Sequence, residues 1–576
     1  MNTHDIHFKE EISWLFFQLT RKIDSQCIQD MQLRFKNCLT LLKKYIHKDG
    51  FDRWGKYLKW LYRMIGFTRD SYKGLGEQAL SYMLICSLYD YFPTLAIYAL
   101  HCFVKPSSTI GKSYYYGCWR DLKYICQYAC ENSLLKHRHG IIQHCIQIMN
   151  HQLYLDIETW KFSANCHSVF HISNVAKHIP REKSRFSWLF EEMAIQWIHT
   201  HKPYILKTAD NDISYKLAIS KSKRIYRKVL SDMNRALNTT EVTICNATDQ
   251  YERSHKIDEN RPSLFTAMNK KYFFLNSNPE IQDTDIPNKY KNDTIVGFDY
   301  KSHSKYFIHG TSSSKISIYN IIKYAIEISK NIQEPSYADD VKFINSLWKN
   351  LYLDKIRNCN QTCLLPIIDV SSKMDDEALF TAFGMGILIS HISSIKYRIL
   401  TIDRRPTWIN INPHHNIVEQ ISHINDTIFN MQNTLPSFPN VFHLIMHTMV
   451  EMNASYDFIQ NMKLVILSDM QCASLNEVVI QNQFQMNGID VTPMMAYWNL
   501  SKNKTIELPC HVNSQKSMLF SGYSICHIHH LCSKYKHKNM FDMIVKILDN
   551  KRYDYLSNYI DKLVLLYLRN QLLFFL

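Results

Sequence analysis

The hydrophobic positions of this chain follow two different periods. Over the first 350 residues they recur at three- and four-residue spacing. Met31, Phe35, Cys38, Leu42 and Tyr45 mark one stripe of an amphipathic helix, and Ile344, Leu347, Trp348 and Leu351 repeat it. Helix-length apolar segments lie between them around residues 79–104, 122–129, 141–149 and 186–198, separated by polar or Gly/Pro breaks. Many helices without intervening strands predict a mainly α, HEAT-like helical-repeat module or bundle. No strict period is present, so any repeats are degenerate.

From about residue 360 the pattern changes. Leu364-Leu365-Pro366-Ile367-Ile368 is an apolar run too short for a helix, ending in Asp369; Lys463-Leu464-Val465-Ile466-Leu467-Ser468-Asp469 does the same. Such runs read as strands buried on both faces, the mark of a parallel sheet. A helix is predicted over 375–392, a strand over 397–402 and a helix over 441–452. A strand over 463–467 follows, then a helix and strands over 491–498 and 518–520. That alternation predicts an α/β doubly wound sheet. Beyond Phe541 the tail reads as helical and apolar, interrupted by Asp561, Lys562 and Arg569, and is expected to dock on the body. Residues 240–315 are rich in Asn, Asp, Ser, Lys and Tyr and read as an irregular insertion, with short strands possible at 294–298 and 305–308. The expected division is N-terminal helices 1–50, a helical module 51–355, a sheet domain 356–535 and a helical tail 536–576.

Composition narrows the class. With 46% hydrophobic and 13% aromatic residues the chain is folded and multidomain in size. The excess of Lys, Asn, Ile and Tyr over Gly resembles translation of an AT-rich genome, such as that of a large DNA virus or a parasite. Sixteen cysteines without a regular framework imply reduced thiols and a cytoplasmic location. No signal peptide or membrane span is read, so no membrane partner is expected. The formal charge of +15 suits a polyanionic partner.

In open α/β sheets functional groups collect at the carboxyl ends of the strands. Two strands ending in Asp, one followed by hydroxyls, suggest oxygen ligands for a hard cation such as Mg²⁺. The arrangement resembles a von Willebrand factor A (vWA) domain and its metal-ion-dependent adhesion site (MIDAS). Asp369 and Ser371 match the first two members of the Asp-x-Ser-x-Ser motif, and Asp469 fits the later aspartate. Thr434 is the candidate threonine, with Ser437 as a rival. The third motif residue departs from the pattern: it is Lys373, whose ammonium could replace the metal or point away. The plain alternative is a strand-ending Asp that caps the next helix.

Further strings extend the resemblance. Tyr72-Lys73-Gly74-Leu75-Gly76-Glu77, Tyr116-Gly117-Cys118-Trp119-Arg120-Asp121-Leu122, Ala176-Lys177-His178-Ile179-Pro180-Arg181-Glu182 and Tyr226-Arg227-Lys228-Val229-Leu230 occur in order. Ala496-Tyr497-Trp498-Asn499-Leu500 and Ser521-Gly522-Tyr523-Ser524 follow in the sheet half. Together they resemble TROVE-module proteins, the Ro ribonucleoprotein autoantigen and its relatives, and more closely a related uncharacterised family of the same layout. The resemblance implies a ring of helical repeats that takes single-stranded RNA, with structured RNA on a basic outer face and the A domain contacting protein partners. Read singly, each string serves a turn, a helix start or the core.

The basic segment carries the RNA expectation. Between Lys177 and Lys228 twelve Lys/Arg oppose five Asp/Glu, a net of +7. The candidate RNA-binding residues are Lys177, Arg181, Lys183, Lys221, Arg224, Arg227 and Lys228. Lys221, Arg224 and Lys228 share one helical face, with Tyr215 and Tyr226 near for stacking. Cys510, His511, Cys526, His527, His529, His530 and Cys532 lack a Cys-x₂-Cys unit and do not read as a zinc site. No phosphate loop, general base or nucleophile elbow accompanies Asp369 and Asp469, so no enzyme is expected. The expectation is a non-catalytic RNA- or ribonucleoprotein-binding protein; the alternative is a protein-interaction scaffold acting through the A-like site without RNA.

Overall fold

The structure is a computed structural model. It describes residues 3–22, 24–104, 107–109, 112–166, 172–207, 211–237, 317–330, 340–342, 344–349, 362–371, 374–429, 438–471, 477–486, 488–489, 491–533 and 538–573. Residues 240–315, with the strands expected at 294–298 and 305–308, lie outside the described residues. So do Lys373, Thr434 and Ser437. The chain divides into two compact units, residues 1–95 with 315–576, and residues 96–314.

The first unit opens with α1 (Thr3–Phe17), α2 (Ser25–Asp49), α3 (Phe51–Arg69) and α4 (Ala79–Tyr91). Asp24 starts α2 by accepting from Gln26 N–H at 3.1 Å. The helix buries Cys27, Met31, Phe35, Cys38 and Leu42, and Tyr45 stacks on Trp54 with ring centroids 5.0 Å apart. The stripe read from the sequence is thus the buried face.

The second unit begins within α5 (Pro93–Val104) and carries a two-stranded antiparallel ribbon, β1 (Ser107–Thr109) and β2 (Lys112–Tyr114), which periodicity did not reveal. Then come α6 (Trp119–Asn132), α7 (Gly140–Cys166), α8 (Val175–His178), α9 (Ser187–His201), α10 (Tyr204–Lys207) and α11 (Asp212–Ala236). Helix α11 lies on α9 and buries Ala218, Ser222, Tyr226, Leu230 and Met233. At its centre Tyr226 Oη donates to Asn150 Oδ1 at 2.6 Å, while Asn150 Nδ2 donates to the Met193 carbonyl at 2.9 Å.

The chain returns to the first unit with α12 (Ile318–Ser329), β3 (Leu364–Asp369), α13 (Asp376–Ile392), β4 (Arg398–Ile402), β5 (Trp408–Asn410), α14 (Ile417–Phe429), α15 (Phe438–Glu451) and α16 (Tyr456–Asn461). It continues through β6 (Lys463–Ser468), α17 (Glu477–Met486), β7 (Met494–Asn499), β8 (Ser517–Ser521), α18 (Ile528–Leu531), α19 (Met540–Leu548) and α20 (Asp554–Leu573). Six strands form one sheet in the order β5-β4-β3-β6-β7-β8, parallel except for the edge pair β4–β5. This is the doubly wound order, with its reversal between β3 and β6. Every residue of β3 is buried, as the unbroken apolar run requires. Gly386 lets α13 approach the sheet: a Cβ there would stand 2.5 Å from Ile368 Cδ1.

The N-terminal helices close over the carboxyl edge of this sheet. Ser521 Oγ donates to the Phe16 carbonyl at 2.8 Å and Asn499 Nδ2 to the Phe17 carbonyl at 2.7 Å, so strand ends satisfy the last turn of α1. Helix α20 packs along α3, where Arg63 pairs with Asp549 and Asp554. Among the described residues no helix is long and apolar enough to cross a membrane. The cysteines whose side chains are described are free thiols.

Candidate functional site

The reversal between β3 and β6 holds the first candidate site. The register Ile368↔Leu467 continues to place Asp369 beside Ser468. Ser468 Oγ donates to Asp369 Oδ2 at 2.6 Å, and Ser371 N–H donates to Asp369 Oδ1 at 3.0 Å. Ser468 Oγ also accepts from Met470 N–H at 2.9 Å, in a turn that puts Met470 at φ +58°. Asp369, Ser371, Ser468 and Asp469 are all buried.

Of the residues expected to share this site, the structure brings Asp369 and Ser371 together and sets Asp469 one residue farther out. Asp469 accepts from Gln471, through its N–H at 3.1 Å and its Nε2 at 2.6 Å. Ser468, whose hydroxyl bonds Asp369 across the strand pair, is a residue that motif matching passed over; strand register would have found it.

The donor set fits a hard cation in kind. Asp369, Ser371 and Ser468 meet at adjacent strand ends with Asp469 next in sequence to Ser468, and among the described residues Ser371 Oγ is buried with no hydrogen-bond partner. Asp369, Ser371, Ser468 and Asp469 are the described residues that would hold it. Among the described residues no cluster of three His, Cys, Asp or Glu forms a metal site of its own.

A charge network borders this edge. Asp375 caps α13, accepting from Glu377 N–H at 2.9 Å and Ala378 N–H at 3.0 Å. Lys502, almost fully buried, lies 3.0 Å from Asp375 and also pairs with Glu377. Arg21 joins Glu377 to Glu77 and lies over the Tyr523 ring at 5.4 Å. Burial raises the Glu77 carboxyl and Arg21 pulls against it.

Two of the sequence strings therefore meet here. Ser524 Oγ donates to the Gly74 carbonyl at 2.9 Å, beside Gly522 at φ +86°. Asp70, at the root of the same loop, is fully buried and pairs with Arg552 while accepting from Tyr553 Oη at 3.1 Å. The Cys/His-rich stretch has a structural role: His527 is fully buried among Phe16, Phe67, Trp498 and Phe520.

The second candidate site is the basic surface of the second unit. Lys177, Arg181, Lys183, Lys221, Arg224, Arg227 and Lys228 are all exposed. Arg227 pairs with Glu182 at 3.1 Å, and Lys223 with Glu191 at 2.9 Å. Lys221, Arg224 and Lys228 have no carboxylate partner among the described residues. Tyr215 is exposed, as stacking needs. Tyr226 corrects the expectation: it is fully buried and spends its hydroxyl on Asn150, because it falls on the α9 face of α11.

Residues 363–546 match the sequence model of a family described as Domain of unknown function (DUF7788). No curated protein matches the chain. No solved structure matches it either. The matched segment starts one residue before β3 and ends in α19, so what the chain is similar to is that family's domain across the whole six-stranded sheet.

Proposed function

We propose that this is a non-catalytic, cytoplasmic RNA- or ribonucleoprotein-binding protein, with the RNA surface on the helical unit of residues 96–314. The observation that carries the reading is the row Lys221, Arg224 and Lys228. These cations share one exposed face of α11 without acid partners among the described residues, while neighbouring Lys223 and Arg227 are paired. Unpaired, exposed cations at helical spacing suit a phosphate backbone, and exposed Tyr215 offers a face for a base. The doubly wound order, an antiparallel edge strand and Asp369 at the reversal support reading the sheet domain as vWA-like, with its carboxyl edge for protein partners. Ser371 Oγ, buried and without a hydrogen-bond partner among the described residues, favours the second reading, a scaffold that engages a partner's carboxylate through a MIDAS-like Mg²⁺ at this edge.

Fluorescence polarisation with labelled single-stranded RNA at two salt concentrations tests the first reading. Affinity should fall steeply with salt. Lys221→Glu, Arg224→Glu and Lys228→Glu together should weaken binding across sequences and flatten the log–log salt slope by about 2, at about 0.7 per lost phosphate contact. Unchanged affinity in a folded triple variant removes α11 from the RNA surface.

A further inference from the structure

The second unit holds a further group of like charges on α6 and the segment after α8. Arg120 and Lys123 stand on the first turns of α6, and Arg181 and Arg185 on the segment after α8, which packs on α6. An aromatic pair pins two of them. Tyr124 and Phe186 meet edge to face at 5.4 Å between centroids. Lys123 Nζ lies 5.6 and 5.4 Å from the two rings, and the Arg185 guanidinium 5.3 and 4.9 Å. Cation–π attraction thus holds cations that otherwise repel.

The acids near the cluster are engaged elsewhere. Asp121 is fully buried and accepts from Cys118 N–H at 2.7 Å to cap its own helix. Glu182 pairs with Arg227. Among the described residues Arg120, Lys123, Arg181 and Arg185 have no carboxylate partner. The field registers in two groups. Burial, then Arg120, Arg185 and Arg181, lower the Lys123 ammonium. Burial, then Lys123, Lys177 and Arg120, push His178 down to about 4, with Asp121 opposing.

We propose that Arg120, Lys123, Arg181 and Arg185 form a binding site for a phosphate group, and that it anchors the RNA backbone; the second part rests on the RNA-binding reading above. Three guanidinium forks match phosphate oxygens two at a time, and the half-buried ammonium supplies a point charge. A dianion offsets the repulsion that the protein leaves uncompensated.

The test uses the full chain and the double variant Arg120→Gln/Arg181→Gln, both at exposed positions. Calorimetric titration with inorganic phosphate, in chloride buffer of constant ionic strength, reads the site alone. Polarisation with a labelled oligouridylate reads the anchor. The parent should bind phosphate, and the variant should lose roughly tenfold or more, as expected for two charge-assisted contacts. RNA affinity should fall likewise, while the triple α11 variant keeps its phosphate binding. No phosphate binding by the parent, or equal binding by the variant, overturns the site. Phosphate binding lost in the variant with no RNA bound by the parent keeps the site and removes the RNA reading. RNA affinity unchanged in a variant that has lost phosphate overturns the anchor. Should the double variant fail to fold, Arg181→Gln alone carries the same comparison.

Discussion

Ser468 Oγ donates a 2.6 Å hydrogen bond to Asp369 Oδ2 across the two central strands, joining residues 99 positions apart. The carboxylate is thereby held from both sides, by this hydroxyl and by its own loop through Ser371 N–H. Asp369→Ala leaves both buried donors unpaired and should cost on the order of 3 kcal/mol, at about 1–3 kcal/mol for each unsatisfied group. Ser468→Ala removes one donor to a charged acceptor and should cost less, about 2 kcal/mol. Urea denaturation of the three proteins checks the order; equal, negligible shifts would show that water supports the loop.

Lys373 sets the expected response to Mg²⁺. On the MIDAS-like reading it stands where the motif has a hydroxyl ligand, and two unit charges about 4 Å apart at an effective dielectric near 20 would repel by about 4 kcal/mol, doubled for a divalent ion. The parent should therefore melt alike in chelator and in Mg²⁺, whereas Lys373→Ser should gain Mg²⁺-dependent thermal stability. A parent already stabilised by Mg²⁺, with the gain abolished in Asp369→Ala, defeats this expectation.

What could be read from the residues followed from how completely each element is buried. β3 and β6 announce themselves because both faces are covered, leaving runs with no polar interruption. β5 has three residues, too few to show a period; α14 was passed over although Ile417, Ile421, Ile424 and Ile428 recur at helical spacing and are buried. The motif resemblance pointed to Asp469 as a ligand and was silent on Ser468, whose bond to Asp369 follows from strand register and not from the order of motif letters. Tyr226 was assigned to solvent because Lys and Arg flank it. The buried stripe Ala218, Ser222, Tyr226 and Leu230 includes small and polar residues that hide its spacing. Nothing local in Phe16 or Phe17 signals that their carbonyls face strand ends hundreds of residues away.

The Asp70–Arg552 pair should behave as a buried ion pair. Asp70 is 1% exposed and the Arg552 side chain 9%. Arg552→Ala should cost about 3–5 kcal/mol by stranding the carboxylate, and Asp70→Asn with Arg552→Gln should recover part of that loss. Thermal melts of the single and paired variants check it; additive losses would mean the two groups act independently.

His527 should make stability depend on pH. Burial, aided by His530, holds its imidazole down to about 3 against an ordinary value of 6.5, and the Ser521 carbonyl opposes weakly. Between those values the unfolded chain carries a proton that the folded chain refuses. The contribution is therefore full above pH 6.5 and lost as pH falls towards 3, by up to about 1.4 kcal/mol per pH unit. His527→Phe, which keeps an aromatic ring among four others, should flatten this slope in urea titrations from pH 7 to 4. An unchanged slope would place the sensitivity elsewhere.

The hydrogen bond from Ser521 to the Phe16 carbonyl also has a meaning in time. The two residues lie 505 positions apart, so a ribosome adding about 5–20 residues per second makes that carbonyl wait roughly 25–100 s for its donor. The intervening residues 96–314 emerge and can finish folding first. Throughout that interval Phe16, Phe17 and their neighbours on α1 have no strand ends to rest on, and a chaperone or a provisional collapse must shield them. A stop codon placed just before β8 would thus deprive α1, translated about 500 codons earlier, of the strand ends that satisfy its last turn.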